Sequence, residues 1–171
     1  MVVATTFSSA EIGIDAPLVT VEADVTPGLP QVLIVGLPET AVRESKDRVR
    51  AAINSSGFSF PDKRVTVNLA PADLPKTSGR YDLAIAIAIL AADKKLDQRK
   101  IRNYEFLGEL SLTGDIRSIR GILPAALRSR DSSRCMIVPG SNSHEAALSE
   151  SPCIYISGKL IDVIDHFIND S

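Results

Sequence analysis

The chain has 171 residues, 44% of them hydrophobic and 23% charged, which is enough for one domain with its own core and too few for two comfortable ones. A net charge of −2 argues against a freestanding domain that coats nucleic acid by electrostatics alone. An aromatic content of 5%, with no Trp, implies a core of Val, Ile, Leu and Ala and argues against stacking on nucleobases.

The N-terminal stretch alternates and is β-rich, which predicts strands over Val2–Phe7, Leu18–Val25 and, after the turn Pro27-Gly28-Leu29-Pro30, Val32–Val35. From Pro38 the period becomes helical. Val42, Ser45, Val49, Ala52 and Ile53 form one stripe, while Glu39–Arg43 and Glu44–Arg48 stand as i,i+4 pairs on the wet side. This helix is expected to stop at Ser56-Gly57, with the glycine as a left-handed cap.

Arg64–Leu69 reads as the next strand, followed by a Pro-rich connection from Ala70 to Tyr81. Asp82 then precedes Leu83–Ala92, a run apolar on nearly all sides. Its strict alternation allows a strand, but its Ala density and ten-residue length favour a buried helix, with Asp82 suited to the N-terminus by capping and by the dipole. The remainder predicts a hairpin of Phe106–Leu110 and Asp115–Ile119 around Thr113-Gly114, then a helix over Ile122–Arg130 and a strand over Met136–Val138. A helix over Ser143–Ser149, a strand over Cys153–Ile156 and a closing helix over Leu160–Ile168 complete the chain. The order of elements places the chain in the α/β class, with a mixed sheet packed by helices. Cys135 and Cys153 lie in separate apolar segments and are expected to be buried thiols rather than a disulfide.

No cationic leader with an apolar segment opens the sequence, and no apolar run approaches the ~20 residues that span a bilayer, so the expected location is cytoplasmic, without membrane contact. Gly158-Lys159 is followed by Leu160 and has Cys153 at the first-glycine position, so it is no phosphate-binding loop. His144 and His166 each lack a second ligand at metal-site spacing, so no metal site is expected. One connection does gather polar groups: Asn68, Asp73, Lys76, Ser78, Arg80 and Asp82 stand between a strand and the start of the buried helix, where helix amides point outward. Arg43, Lys46 and Arg50 recur at spacings of three and four on one helix face, a pattern that fits either a basic contact surface or a solvated face.

Several long blocks resemble a known family. Gly28-Leu29-Pro30, the run Ile34 to Arg50, the run Val65 to Lys76, Gly79-Arg80-Tyr81-Asp82-Leu83, Phe106 to Leu110 and Arg120 to Ala125 are similar, in register, to the N-terminal domain of the ComM/YifB family of Mg-chelatase-like AAA+ ATPases. The resemblance implies a fold like the second domain of ribosomal protein S5, shared with the proteolytic domain of Lon, as one unit over residues 1–171. It also implies an AAA+ module downstream, absent from this chain, which would bring ATP and Mg; the domain itself would need no cofactor. Members of the family are associated with hexameric, ATP-driven branch migration of DNA during natural transformation.

The likeness to Lon implies a negative test, because Lon-type hydrolysis needs a Ser activated by a nearby Lys. Aligned with Lon, this chain has Tyr81 at the serine position and Leu123 at the lysine position, so neither half of the dyad is present. Ser78 with Lys76 is a poor substitute, since nothing in the sequence suggests the buried setting that lowers a lysine pKa. The expected role is therefore a non-catalytic one: self-association with the AAA+ ring, and contact with single-stranded or branched DNA through Arg43, Lys46, Arg50, Lys76 and Arg80. The alternative is a purely structural oligomerisation or partner-protein platform, and a Ser-Lys peptidase is disfavoured.

Overall fold

The computed structural model describes residues 3–76 and 79–169. In chain order its strands and helices are β1 (Ala4–Ser9), β2 (Leu18–Thr26), β3 (Gln31–Val35), α1 (Glu39–Ser55), β4 (Arg64–Ala70), α2 (Asp82–Ala92), α3 (Gln98–Ile101), β5 (Tyr104–Phe106), β6 (Glu109–Leu110), β7 (Ile116–Arg117), α4 (Ile122–Arg130), β8 (Cys135–Pro139), α5 (Ser143–Ala147), β9 (Ile154–Ser157) and α6 (Leu160–Asn169). Short 3-10 turns precede α2 and α5.

Seven strands form one mixed sheet in the order β3-β4-β2-β1-β5-β8-β9, and β6 and β7 make a separate antiparallel pair. β2 is antiparallel to both β1 and β4, while β3·β4, β1·β5, β5·β8 and β8·β9 are parallel. This is the α/β class that the order of elements predicts.

α1 buries Ser45, Val49, Ala52 and Ile53, as the 3.6-residue period requires; the side chains of Val42 and Glu39, and with them the expected Glu39–Arg43 pair, lie outside the described residues. At its end Gly57 (φ +88°) donates its amide to the Asn54 carbonyl, and Phe58 donates to that of Ile53. That bond pair closes a helix through a left-handed residue, the cap expected of Gly57.

Every residue of α2 is buried, and it packs on β1, β2 and α1. Leu83, Ile85, Ile87, Ile89 and Leu90 are enclosed here, and burial of such a side chain stabilises by about 1.5–3 kcal/mol each. A strand would have left alternate side chains on a second face, which the ring of neighbours around α2 does not provide.

The hairpin expected from Phe106 to Ile119 is divided in two. Tyr104–Phe106 joins the main sheet as β5, and only Glu109–Leu110 pairs with Ile116–Arg117. Gly108 stands at the division, where an added Cβ would come within 2.6 Å of Ile116 Cγ2. α3, unforeseen in the sequence, is a single turn whose N-cap is Asp97, accepting from the Arg99 amide at 2.9 Å.

Cys135 and Cys153 form a disulfide, against the expectation of buried thiols. The reason is strand order: β8 and β9 are parallel neighbours with Met136 opposite Ile154, which brings the two cysteine Cα atoms to 4.8 Å. No described helix is long and apolar enough to cross a membrane.

Candidate functional site

The most heavily constrained polar group stands at the head of α2. Asp82 is fully buried; its Oδ1 accepts from Ser45 Oγ at 2.7 Å, and its Oδ2 accepts from Arg48 Nε at 2.6 Å and from the Leu110 amide at 3.2 Å. A second Arg48 nitrogen reaches Oδ1 at 3.3 Å. The expected capping of its own helix is not seen, because these four donors from α1 and β6 occupy both oxygens. Burial pushes the Asp82 carboxyl up, and the hydrogen bonds from Arg48, Ser45 and Leu110 pull against it. Such a crowd of donors fits the ionised carboxylate at the positive end of a helix.

Arg48 was expected on the wet side of α1 in a pair with Glu44. It keeps that contact at 3.6 Å but turns inward to Asp82 and also lies 3.7 Å from Glu109, so it bridges three carboxylates. Burial lowers its pKa, yet the hydrogen bond and charge of Asp82, with Glu109 and Glu44, raise it above the ordinary arginine value.

The residues proposed for DNA contact separate into two groups. Arg43 and Arg50 are exposed and Lys46 is half-exposed on α1, with Arg50 Cζ 5.0 Å from the Phe60 ring centre. Lys76 and Arg80 are buried. Lys76 Nζ donates to the carbonyls of Pro71 and Leu74, and Arg80 donates from Nε to Ser9 O at 2.9 Å and from Nη1 to Arg120 O at 2.7 Å. Burial lowers both pKa values, opposed by Asp73 at Lys76 and by Tyr81 and Glu11 at Arg80. These two cations hold the connection in shape, which leaves Arg43, Lys46 and Arg50 as the outward-facing set.

The polar connection is not drawn together into a site. Asn68 points away from α2 and donates to Glu22 Oε1 across the strand pair at 3.2 Å, and Asp73 is exposed in its own loop. Alternation along β4 decides this, since Val67 and Leu69 occupy the inner face. At the two Lon positions, Tyr81 is 1% exposed with its phenol pushed by burial up to about 12, and Leu123 is half-buried in α4 with its amide on Glu145 Oε2 at 3.1 Å. Ser78 lies outside the described residues. Gly158-Lys159 turns between β9 and α6 with Lys159 on Asp115 at 3.5 Å, and among the described residues no group of His, Cys, Asp and Glu is placed to hold a metal.

Sequence reasoning passed over two further clusters. Glu105 on β5 is fully buried against Arg128 and Arg134, the latter at 3.2 Å, and Arg134 also lies over the Phe7 ring at 4.7 Å. Tyr104, Tyr155, His166 and Phe167 converge into one aromatic group, with Tyr104 Oη and His166 Nε2 3.1 Å apart, although few aromatics are present in the chain. His166, which the sequence offers no second metal ligand, is a member of that group.

Comparison with known proteins supplies the context for this geometry. Residues 21–142 match the family described as subunit ChlI of Mg-chelatase. The chain belongs to that family. This ChlI-type domain is 46% identical over 169 residues to Competence protein ComM of Haemophilus influenzae, a match covering 99% of the chain and 33% of ComM. It is 47% identical over 157 residues to the uncharacterized protein YifB of Escherichia coli, covering 92% of the chain and 30% of YifB. An uncharacterized Mycobacterium tuberculosis protein is 48% identical over 143 residues, or 83% of the chain and 28% of that protein. The chain therefore spans about a third of the length of these relatives, in their N-terminal part. The family is one of AAA+ ATPase-like proteins.

Proposed function

We propose that this chain is the non-catalytic N-terminal domain of a cytoplasmic, hexameric AAA+ DNA motor of the ComM/YifB type, contributing to ring assembly and to engagement of single-stranded or branched DNA. The observation that carries the reading is the 46% identity, over nearly the whole chain, to a relative whose name assigns it to competence. ATP and Mg belong to the downstream module of the whole protein, which would drive branch migration during natural transformation. The absence of catalysis in this part is supported by the two Lon positions. A buried phenol at Tyr81 is a poor nucleophile, and Leu123 offers no base.

Arg43, Lys46 and Arg50 on α1 would meet phosphates, giving salt-sensitive binding with little sequence preference, strengthened in a ring through multivalency. Fluorescence anisotropy of single-stranded, duplex and forked DNA, titrated at low and moderate salt with the mass in solution recorded alongside, tests this. Binding that weakens with salt and falls in Arg43→Ala/Lys46→Ala/Arg50→Ala is the expected result. The absence of binding even in an oligomeric sample would overturn it in favour of a structural platform. That second reading has its own support in the edge strand β3, which exposes Leu33 (44%) and Val35 (48%) beside Leu29 (88%).

A further inference from the structure

The connection between α2 and β5 is the most basic part of the chain. Lys94, Lys95, Arg99, Lys100 and Arg102 supply five of the 19 Lys and Arg, whereas only Asp93 and Asp97 of the 21 Asp and Glu stand there. The two acids neutralise part of it: Lys95 is 3.3 Å from Asp93, and Arg99 is 3.1 Å from Asp97. Lys100 Nζ donates to the Phe167 carbonyl at the end of α6. Lys94 and Arg102 are exposed and form no ion pair among the described residues.

Lys94 also sits where lysine is disfavoured. Its φ is +63°, its amide donates to Ala91 O at 3.0 Å, and the Lys95 amide donates to Leu90 O at 2.8 Å. These bonds end α2 through a left-handed residue, a position that favours glycine because a Cβ is strained there. Lys94 thus carries its charge at a position where glycine would be less strained.

This basic stretch runs up to an aromatic cavity. Lys100 and Asn103 line a space of about 470 Å³ whose walls include Tyr104, Tyr155, His166 and Phe167. Tyr155 is 43% exposed, with its ring centre 5.8 Å from that of Tyr104 and 4.8 Å from that of His166.

We propose that this connection and cavity form a docking surface for single-stranded nucleic acid, with Lys94 and Arg102 on the phosphates and Tyr155 stacking a base, against the expectation from the low aromatic content. The proposal rests on the DNA-engagement reading and adds a single-strand contact to that of α1. Cations beside an exposed aromatic ring are the combination that holds an unpaired strand, whereas in a duplex the base faces are hidden and only the phosphate contacts remain.

The test is anisotropy of labelled oligothymidylate and of a duplex of equal length, over a series of salt concentrations, with melting temperatures measured in parallel. Lys94→Gly/Arg102→Ser is expected to reduce the single-strand salt slope by about 1.4, since each lost phosphate contact removes roughly 0.7, with the melting temperature unchanged or raised. Tyr155→Ala is expected to weaken single-strand binding by about tenfold and to leave duplex binding unchanged. If both variants bind oligothymidylate as the parent chain does while the Arg43/Lys46/Arg50 variant loses binding, this surface is wrong and DNA engagement by α1 stands. If the parent chain binds neither probe, both readings fall.

Discussion

The β3-β4-β2-β1 end of the sheet is covered on one face by α1 and α2, whereas the β5-β8-β9 end lies between α6 on one side and α4 with α5 on the other. Strand sequence follows the difference. β4 alternates buried Val65, Val67 and Leu69 with half-exposed Thr66 and Asn68, while Met136, Ile137 and Val138 of β8 are buried in succession. Each end also holds a buried carboxylate, differently supported. Around Asp82 the donors are Ser45, the Leu110 amide and one arginine whose side chain is 19% exposed; around Glu105 they are two arginines, 28% and 23% exposed. The contrast teaches that a buried charge is tied most tightly where helices meet away from solvent and less tightly where its partners can rehydrate.

The largest expected effect tests that contrast directly. Asp82→Ala leaves Ser45 and the Leu110 amide unmatched and Arg48 with only its longer contacts to Glu44 and Glu109, and is expected to cost about 3–5 kcal/mol in urea unfolding. Cys153→Ser removes the cross-link between β8 and β9, 18 residues apart in sequence, and is expected to cost about 3 kcal/mol against the oxidised chain, and nothing further when both are reduced. Glu105→Ala is expected to cost less, about 2 kcal/mol, because Arg128 and Arg134 can turn to water; a loss equal to that of Asp82→Ala would break the comparison.

The last effect is confined to alkaline solution. Folding holds the Tyr81 phenol up to about 12 against an ordinary value of 10, so the folded chain keeps a proton that the unfolded chain releases. That contribution is whole below pH 10 and is lost as pH rises toward 12, roughly 3 kcal/mol at most for a shift of this size. Urea midpoints measured across this window should fall for the parent chain and flatten in Tyr81→Phe.

Much of this was legible in local pattern. The stripe of α1, the glycine that closes it and the alternation of β4 each depend on neighbours within a few residues, and so appear in the sequence as periodicity. The basic run from Lys94 to Arg102 is equally legible by counting charges, although the net charge of −2 over the whole chain hides it. Less legible was Arg48, which reads as half of a surface pair with Glu44 because nothing within a turn of α1 announces Asp82, 34 positions later.

By itself the sequence determined the family, the α/β class and the faces of its longer helices, because burial repeats with the period of each element. Only the tertiary structure decided which distant groups meet: the cysteines through the adjacency of β8 and β9, the aromatic group through the packing of α6 beside β5, and the inward turn of Arg80 through the carbonyls of Ser9 and Arg120. Those meetings are set by strand order and helix placement, which arise from the summed packing of the whole core and leave no local signature in the chain.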